Sequence, residues 1–218
     1  MNQAITFPYK YICIEGNIGT GKTTFVEMLN QEYSCEMILE EFQDNPFLPY
    51  FYEDRDRYAF SVELFFMTER YKQLQRQLLN QGLFQDFTIS DYYFVKSLLF
   101  AKNNLIEEEY RLFQKMWNVL NAPFPKPDIL VYFHRDISIL KKLIDKRGRE
   151  YEKMIPTDYL KQIQDTYFDY FKNILTFPVV IIDLNEIDFV ENRQHYESIK
   201  HIVASDYLPG VHRISLLV

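Results

Sequence analysis

This sequence predicts an α/β fold built on a parallel sheet, and three observations carry that expectation. Short apolar runs alternate with helical patterns along the chain, the arrangement of a sheet covered by helices on both faces. The first apolar run, residues 9–15, leads directly into the glycine-rich turn Gly16-Asn17-Ile18-Gly19-Thr20-Gly21-Lys22-Thr23. No repeat, low-complexity stretch or flexible linker divides the 218 residues, a length that suits one core, so residues 1–218 read as a single domain.

The elements follow in order. After the strand at 9–15, Phe25, Met28 and Leu29 fall at helical spacing between Lys22 and Gln31. A second strand covers about 36–39, and a short helical stretch follows Asn45 and Pro46. A long helix runs over about 55–80, where Phe60, Leu64, Met67, Tyr71, Leu74 and Leu78 form an apolar stripe, with Gly82 as its stop. A third strand at about 87–90 precedes helices near 94–102 and 107–121, and Pro123, Pro125 and Pro127 stiffen the next loop. The run from Ile129 to Phe133 is a fourth strand; helices near 138–146 and 158–173 and a fifth strand at 179–182 complete the pattern. The segment from Leu208 to Val218 carries no assignment.

Composition narrows the partners. A net charge of −7 argues against a long nucleic-acid polymer, while a local Lys/Arg cluster still suits a small phosphorylated ligand. Aromatics reach 17%, which core packing accounts for ring by ring, with a ring-lined pocket for a planar ligand as the functional alternative. The two cysteines, Cys13 and Cys35, lack metal-ligand spacing and read as buried free thiols of a reducing compartment. No signal-peptide pattern opens the chain and no apolar run reaches membrane-spanning length, so the expectation is a cytoplasmic protein that does not use a membrane.

The turn after the first strand satisfies G-x-x-x-x-G-K-[ST] in its required context, after a strand and opening a helix. Glycines let backbone N–H groups close around phosphate oxygens, and the helix N-terminus adds partial positive charge. Gly16, Asn17, Ile18, Gly19, Thr20, Gly21, Lys22, Thr23 and Thr24 thus read as the seat of a nucleoside triphosphate. Lys22 reaches the β- and γ-phosphates, and the Thr23 hydroxyl is placed for Mg²⁺. An incidental glycine turn is the bland alternative, but three of only six glycines fall here. The implied cofactors are ATP and Mg²⁺.

Two further segments separate kinases from other proteins with this loop. The stretch from Glu40 through Asn45-Pro46 to Tyr52 and on to Arg57, and the basic run Lys146-Arg147-Gly148-Arg149-Glu150-Tyr151-Glu152, resemble bacterial deoxynucleoside kinases of the deoxyadenosine/deoxyguanosine group. The resemblance runs from about residue 10 to about 190. It implies a P-loop kinase fold, a five-stranded parallel sheet flanked by helices with an arginine-rich lid, and a homodimer formed by helices. It also implies transfer of phosphate from ATP to the 5′-hydroxyl of a small-molecule (deoxy)nucleoside, and a purine is the acceptor expected, read by Glu63 with Arg70.

Carried over by position, Glu40 matches the carboxylate that takes the hydroxyl proton; a surface carboxylate of an acidic turn is the alternative. Arg147 and Arg149 match the lid arginines over the transferring phosphoryl group, and Tyr52 with Glu152 matches the pair on the sugar 3′-hydroxyl. Asp91 matches the acid that helps position Mg²⁺. Two positions depart. Glu63, with Arg70 seven residues on, stands where the family reads the base with a glutamine. An ionised Glu63 accepts from the N1–H and N2–H₂ of guanine or a pterin; a Glu63–Arg70 salt bridge is the equal alternative. Tyr92 stands where the family has an arginine, and no other arginine follows until Arg111. That loss of charge counts against turnover of ordinary deoxynucleosides. It leaves a guanine-like or pterin acceptor, a nucleoside monophosphate, or nucleotide binding without catalysis as rivals. A monophosphate calls for an added basic residue near Tyr92, and the expectation is that the sequence supplies none. His134, His195, His201 and His212 lack partners in any motif, and Asp183 reads as a turn cap.

Overall fold

Every residue of β1 (Tyr11–Gly16) is buried in the computed structural model, which describes residues 5–41, 45–78 and 85–216. Ile12 and Ile14 enter the apolar layer on one face of the sheet and Cys13 enters the layer on the other. A strand covered on both faces is written as a near-continuous apolar run, which made this one legible. β1 pairs with β3 (Phe87–Ser90) on one side and with β4 (Ile129–His134) on the other, all in parallel. β2 (Cys35–Ile38) lies outside β3, and β5 (Pro178–Asp183) outside β4.

The sheet has six strands rather than the five that the resemblance implied. β6 (Gly210–Ser215) pairs in parallel with β5, from Pro178↔Gly210 to Asp183↔Ser215, giving the order β2-β3-β1-β4-β5-β6. It belongs to the unassigned C-terminal segment. As an edge strand its side chains alternate between half-buried and exposed, with His212 and Arg213 among them, so no apolar run announces it.

Helices cover both faces. On one, α1 (Lys22–Glu32) places Phe25, Val26 and Leu29 beside α8 (Arg193–Val203), which buries Tyr196, Ile199 and Val203. The sequence reading leaves α8 out although its apolar spacing is helical; charged residues on the outer face dilute the pattern. On the other face, α6 (Ile137–Arg147) and α7 (Thr157–Phe171) contribute Leu140, Ile144, Leu160, Ile163 and Tyr167. Beyond β2 and β3 lies a further helical layer of α2 (Leu48–Phe51), α3 (Arg55–Gln77), α4 (Lys96–Asn104) and α5 (Glu107–Asn121). Met67, Leu74 and Phe113 pack there with Tyr92 and Phe94.

α3 ends at Gln77, short of the expected residue 80. Gly82, residues 42–44 and residues 217–218 lie outside the described residues. The buried face of α3 is not purely apolar: Glu63, Arg70 and Gln73 are buried with Met67 and Leu74. Polar side chains buried on a long amphipathic helix require partners: Glu63 and Arg70 line a cavity, while Gln73 donates to Leu39 O and accepts from the Tyr92 hydroxyl. Cys13 and Cys35 are free and buried. Asp183 Oδ1 accepts from Asn185 N at 3.0 Å, the turn-capping contact anticipated for it.

Candidate active site

The carboxyl edge of the sheet collects the chemistry. The order reverses at β1, which lies between β3 and β4, and ligands of open α/β sheets bind in the crevice at such a switch point. The glycine loop leaves β1 there, Asp91 follows β3, and Glu40 follows β2. Left-handed backbone at Gly19 (φ 86°) and Gly21 (φ 93°) shapes the loop. A Cβ at Gly19 would lie 2.8 Å from Ile144 Cγ1, and one at Gly21 would lie 2.9 Å from Phe189 Cζ. Asn17 ties the loop to α7 through Nδ2 to Leu160 O at 2.7 Å, and Ile18 N donates back to Asn17 Oδ1 at 2.8 Å. Thr20 Oγ1 donates to Asn17 O, and Lys22 Nζ spans the loop to Gly16 O at 2.8 Å and Asn17 O at 2.9 Å.

A buried carboxylate supports this loop from below. Glu15 Oε2 accepts from Gly16 N and from the Tyr167 hydroxyl at 2.9 Å, and Oε1 accepts from Tyr93 N at 2.8 Å. Burial raises its pKa against the pull of Lys96 and Lys22. Burial and the neighbouring Lys96 lower the Lys22 ammonium to about 8.

A cavity of about 130 Å³ opens between the loop, α3, α4 and the lid, and it gathers residues from 18 to 159 of the chain. Lys22, Thr23, Glu40, Tyr52, Glu63, Arg70, Asp91, Arg147, Arg149 and Glu152 all line it. On the far side of the glycine loop a second cavity is lined by Gly21, Thr24, Lys146, Arg135 and Phe189. Thr23 Oγ1 donates to Asp91 Oδ2, and Glu40 N donates to Asp91 Oδ1 at 2.7 Å. Burial and the nearby Glu40 carboxylate raise the Asp91 pKa. Among the described residues no group of three or more His, Cys, Asp and Glu stands together as metal ligands. One hydroxyl and one carboxylate beside a phosphate loop still fit Mg²⁺, which keeps waters and takes phosphate oxygens for the rest of its shell.

Glu40 sits at the centre of a buried charge cluster. Arg70 donates to Oε1 through Nε at 2.8 Å and also through Nη2, while Lys96 Nζ donates to Oε2 at 2.5 Å. Burial by itself would raise the Glu40 carboxyl, but Lys96 and Arg70 hold it well below the usual carboxylate range. Arg70 completes its set with Nη1 to Ser97 Oγ at 2.8 Å, over the Phe66 ring.

Three expectations are corrected here. The Glu63–Arg70 salt bridge does not form, because Arg70 turns to Glu40, which arrives from the sheet edge on the same side of α3. Glu63 instead accepts at Oε1 from Asn104 Nδ2 at 2.6 Å, and its buried Oε2 has no hydrogen-bond partner. Burial pushes the Glu63 carboxyl up to about 7, against the Asn104 hydrogen bond and the Arg70 charge. Second, Tyr92 does not stand in for the family's arginine. It is buried in the α3–α5 layer with its hydroxyl donating to Gln73 Oε1 at 2.7 Å. Third, a basic residue near Tyr92 does exist: Lys96, in the first turn of α4, holds its ammonium against Glu40. Nothing in the local pattern marked Lys96, because its role comes from contact with Glu40, 56 residues away.

The lid is compact. α6 ends at Arg147, Gly148 turns in left-handed backbone, and a 3-10 turn spans Glu150–Glu152. Glu152 Oε2 accepts from Arg147 Nε at 2.9 Å and Oε1 from Arg149 Nη1 at 3.2 Å. Glu152 is therefore held by both lid arginines, while Tyr52 lies against the Tyr151 ring at 6.3 Å. Asn104 was also missed. It links Glu63 to the Tyr159 hydroxyl, and its Oδ1 accepts from Arg55 at 3.0 Å.

Comparisons with known proteins identify the family. A family model described as deoxynucleoside kinase matches residues 12–208. The chain is 35% identical to the deoxyguanosine kinase of Bacillus subtilis (strain 168) over 196 residues, covering 87% of this chain and 93% of that protein. It is 27% identical to the deoxyadenosine/deoxycytidine kinase of the same organism, covering 89% and 91%. Among solved structures, a deoxyadenosine kinase from M. mycoides with products dCMP and a flexible dCDP bound superposes with a TM-score of 0.76. That match has 25% identity and covers 88% of this chain and 98% of the other. With the match spanning nearly the whole sheet and the residues around the cavity, the chain belongs to the deoxynucleoside kinase family.

Proposed function

We propose that this protein transfers the γ-phosphoryl group of ATP to the 5′-hydroxyl of a purine deoxynucleoside, with deoxyguanosine preferred. One observation carries the reading: the cavity lined by Lys22 and Glu40 is also lined by Glu63, whose buried Oε2 has no hydrogen-bond partner. A buried acceptor without a donor costs free energy, and guanine presents two N–H donors on one edge to a carboxylate. Val62, Phe66 and Phe100 supply apolar and aromatic walls for a planar base.

The glycine loop and Lys22 hold the triphosphate, with Gly21 and Thr24 toward the second cavity. Thr23 and Asp91 hold Mg²⁺, which neutralises phosphate charge when bound. Glu40 orients the 5′-hydroxyl and receives its proton, and Arg147 and Arg149 close over the phosphoryl group, leaving Glu152 to share the sugar 3′-hydroxyl with Tyr52. The reading includes nucleotide salvage in the cytoplasm and a homodimer. No described helix is long and apolar enough to cross a membrane. For the dimer, α5 exposes Leu112 (52%) and Val119 (74%), two turns apart on one face, and sedimentation measures it directly.

Lys96 also gives a specific reason to test a nucleoside monophosphate acceptor. The experiment is a turnover panel with ATP and Mg²⁺ against deoxyguanosine, deoxyadenosine, deoxycytidine, thymidine, a reduced pterin and deoxyguanosine 5′-monophosphate. Conversion of deoxyguanosine ahead of the others is expected. Conversion of the monophosphate alone moves the acceptor assignment, and ATP binding without turnover of any acceptor overturns the transferase reading.

A further inference from the structure

Resting on that transfer reading and going beyond it, we propose that Lys96 is a catalytic lysine. Its ammonium is held against Glu40 before reaction and passes to the new 5′-phosphate as Glu40 takes the proton.

Lys96 is buried, 7% exposed at its side chain, with Nζ 2.5 Å from Glu40 Oε2. Arg70 already satisfies Oε1 through two N–H groups. A carboxylate so engaged needs no second cation for its stability, and taking another ammonium out of water is costly. The three side chains Arg70, Lys96 and Glu40 by themselves carry one positive charge in excess, lining the cavity with Lys22 and Thr23, while the Glu15 and Asp91 carboxylates lie within electrostatic reach of Lys96. An ammonium lining the cavity beside the glycine loop is what a transferring phosphoryl group requires.

The charge balance of the step points the same way. The acceptor's 5′-oxygen forms a bond to the γ-phosphorus as the bond from that phosphorus to the bridging oxygen breaks. The electron pair of the broken bond leaves with ADP, and the hydroxyl proton moves to Glu40. Glu40 thereby loses its negative charge, so Lys96 loses its counter-ion at the moment a phosphate ester appears beside it. Lys96 keeps all its protons and exchanges a carboxylate oxygen for a phosphoryl oxygen. Tyr92, in the motif position where a guanidinium was sought, points into the α3–α5 layer, so the contact belongs to Lys96.

The test compares wild type, Lys96→Gln and Lys96→Arg, with folding checked by melting and by ATP binding. With deoxyguanosine, Lys96→Gln is expected to lose about 10²- to 10³-fold in kcat with KM within about threefold. Lys96→Arg is expected to recover at least about tenfold of that, since it restores the charge with altered geometry. Removing the cation also raises the Glu40 pKa, so the acid limb of the kcat/KM profile moves to higher pH in Lys96→Gln. A lysine that only paired with Glu40 would move the limb in the same way, so the contrast in binding between deoxyguanosine and its 5′-monophosphate decides between the roles.

A second arm needs no turnover. Calorimetry should show deoxyguanosine 5′-monophosphate binding at least about tenfold weaker in Lys96→Gln, with deoxyguanosine itself unchanged. Equal weakening of both ligands, or a kcat within about threefold of wild type, overturns the assignment. A wild type that phosphorylates no acceptor overturns the transfer reading, while the two affinities still decide whether Lys96 meets the phosphate.

Discussion

Glu63→Gln isolates a single buried ionisation. The Glu63 carboxyl rises from 4.5 to about 7 because burial penalises its charge, and Asn104 and Arg70 recover only part of that. In the unfolded chain the group returns to the ordinary value, so between pH 4.5 and 7 the native state binds the extra proton. Stability therefore falls as pH rises through that window, the opposite of a salt-bridged carboxylate. At about 1.4 kcal/mol per unit, the rise to about 7 corresponds to about 3 kcal/mol lost between pH 5 and pH 8. Glutamine keeps the acceptor for Asn104 and removes the titration. Urea unfolding of both proteins at fixed concentration, from pH 5 to pH 8, gives a difference curve in which Glu15, Asp91 and Lys22 cancel. The variant should gain about 3 kcal/mol on wild type across the series, and saturating deoxyguanosine should abolish much of the gain by donating to the carboxylate. A difference flat to within about 0.5 kcal/mol would refute both the burial argument and the exchange of charge for guanine donors.

The same substitution should move base preference. A glutamine both donates and accepts, so the ratio of kcat/KM for deoxyguanosine over deoxyadenosine should fall at least about tenfold, read by competition between the two. Glu40→Gln should lower kcat by about 10²- to 10⁴-fold while ATP still raises the melting temperature. It should also destabilise the fold, because Arg70 and Lys96 lose their shared buried counter-ion. Replacing Arg147 and Arg149 together by alanine should cost about 10²-fold or more in kcat with modest change in melting temperature, since both are about one-third exposed. Gly19→Ala should weaken both ATP binding and stability, the latter by about 1–3 kcal/mol, because its φ is +86° and the new Cβ meets Ile144 at 2.8 Å.

What the sequence by itself determined was local. The strand, the glycine turn and the start of α1 lie within about twenty consecutive residues, and each is written in residue types that only a few conformations satisfy. The apolar runs of β1, β4 and β5 were legible because burial on both faces favours near-continuous apolar residues. β6 and α8 were less so, since an edge strand and an outer helix divide their side chains between core and solvent. Tertiary structure alone decided which charges meet. Glu40, Arg70 and Lys96 come from three segments, and no spacing rule says that Arg70 chooses Glu40 over Glu63 on its own helix. It also decided the charge of Glu63, because ionisation depends on removal of water and on the few neighbours within hydrogen-bond reach, and the folded chain supplies both.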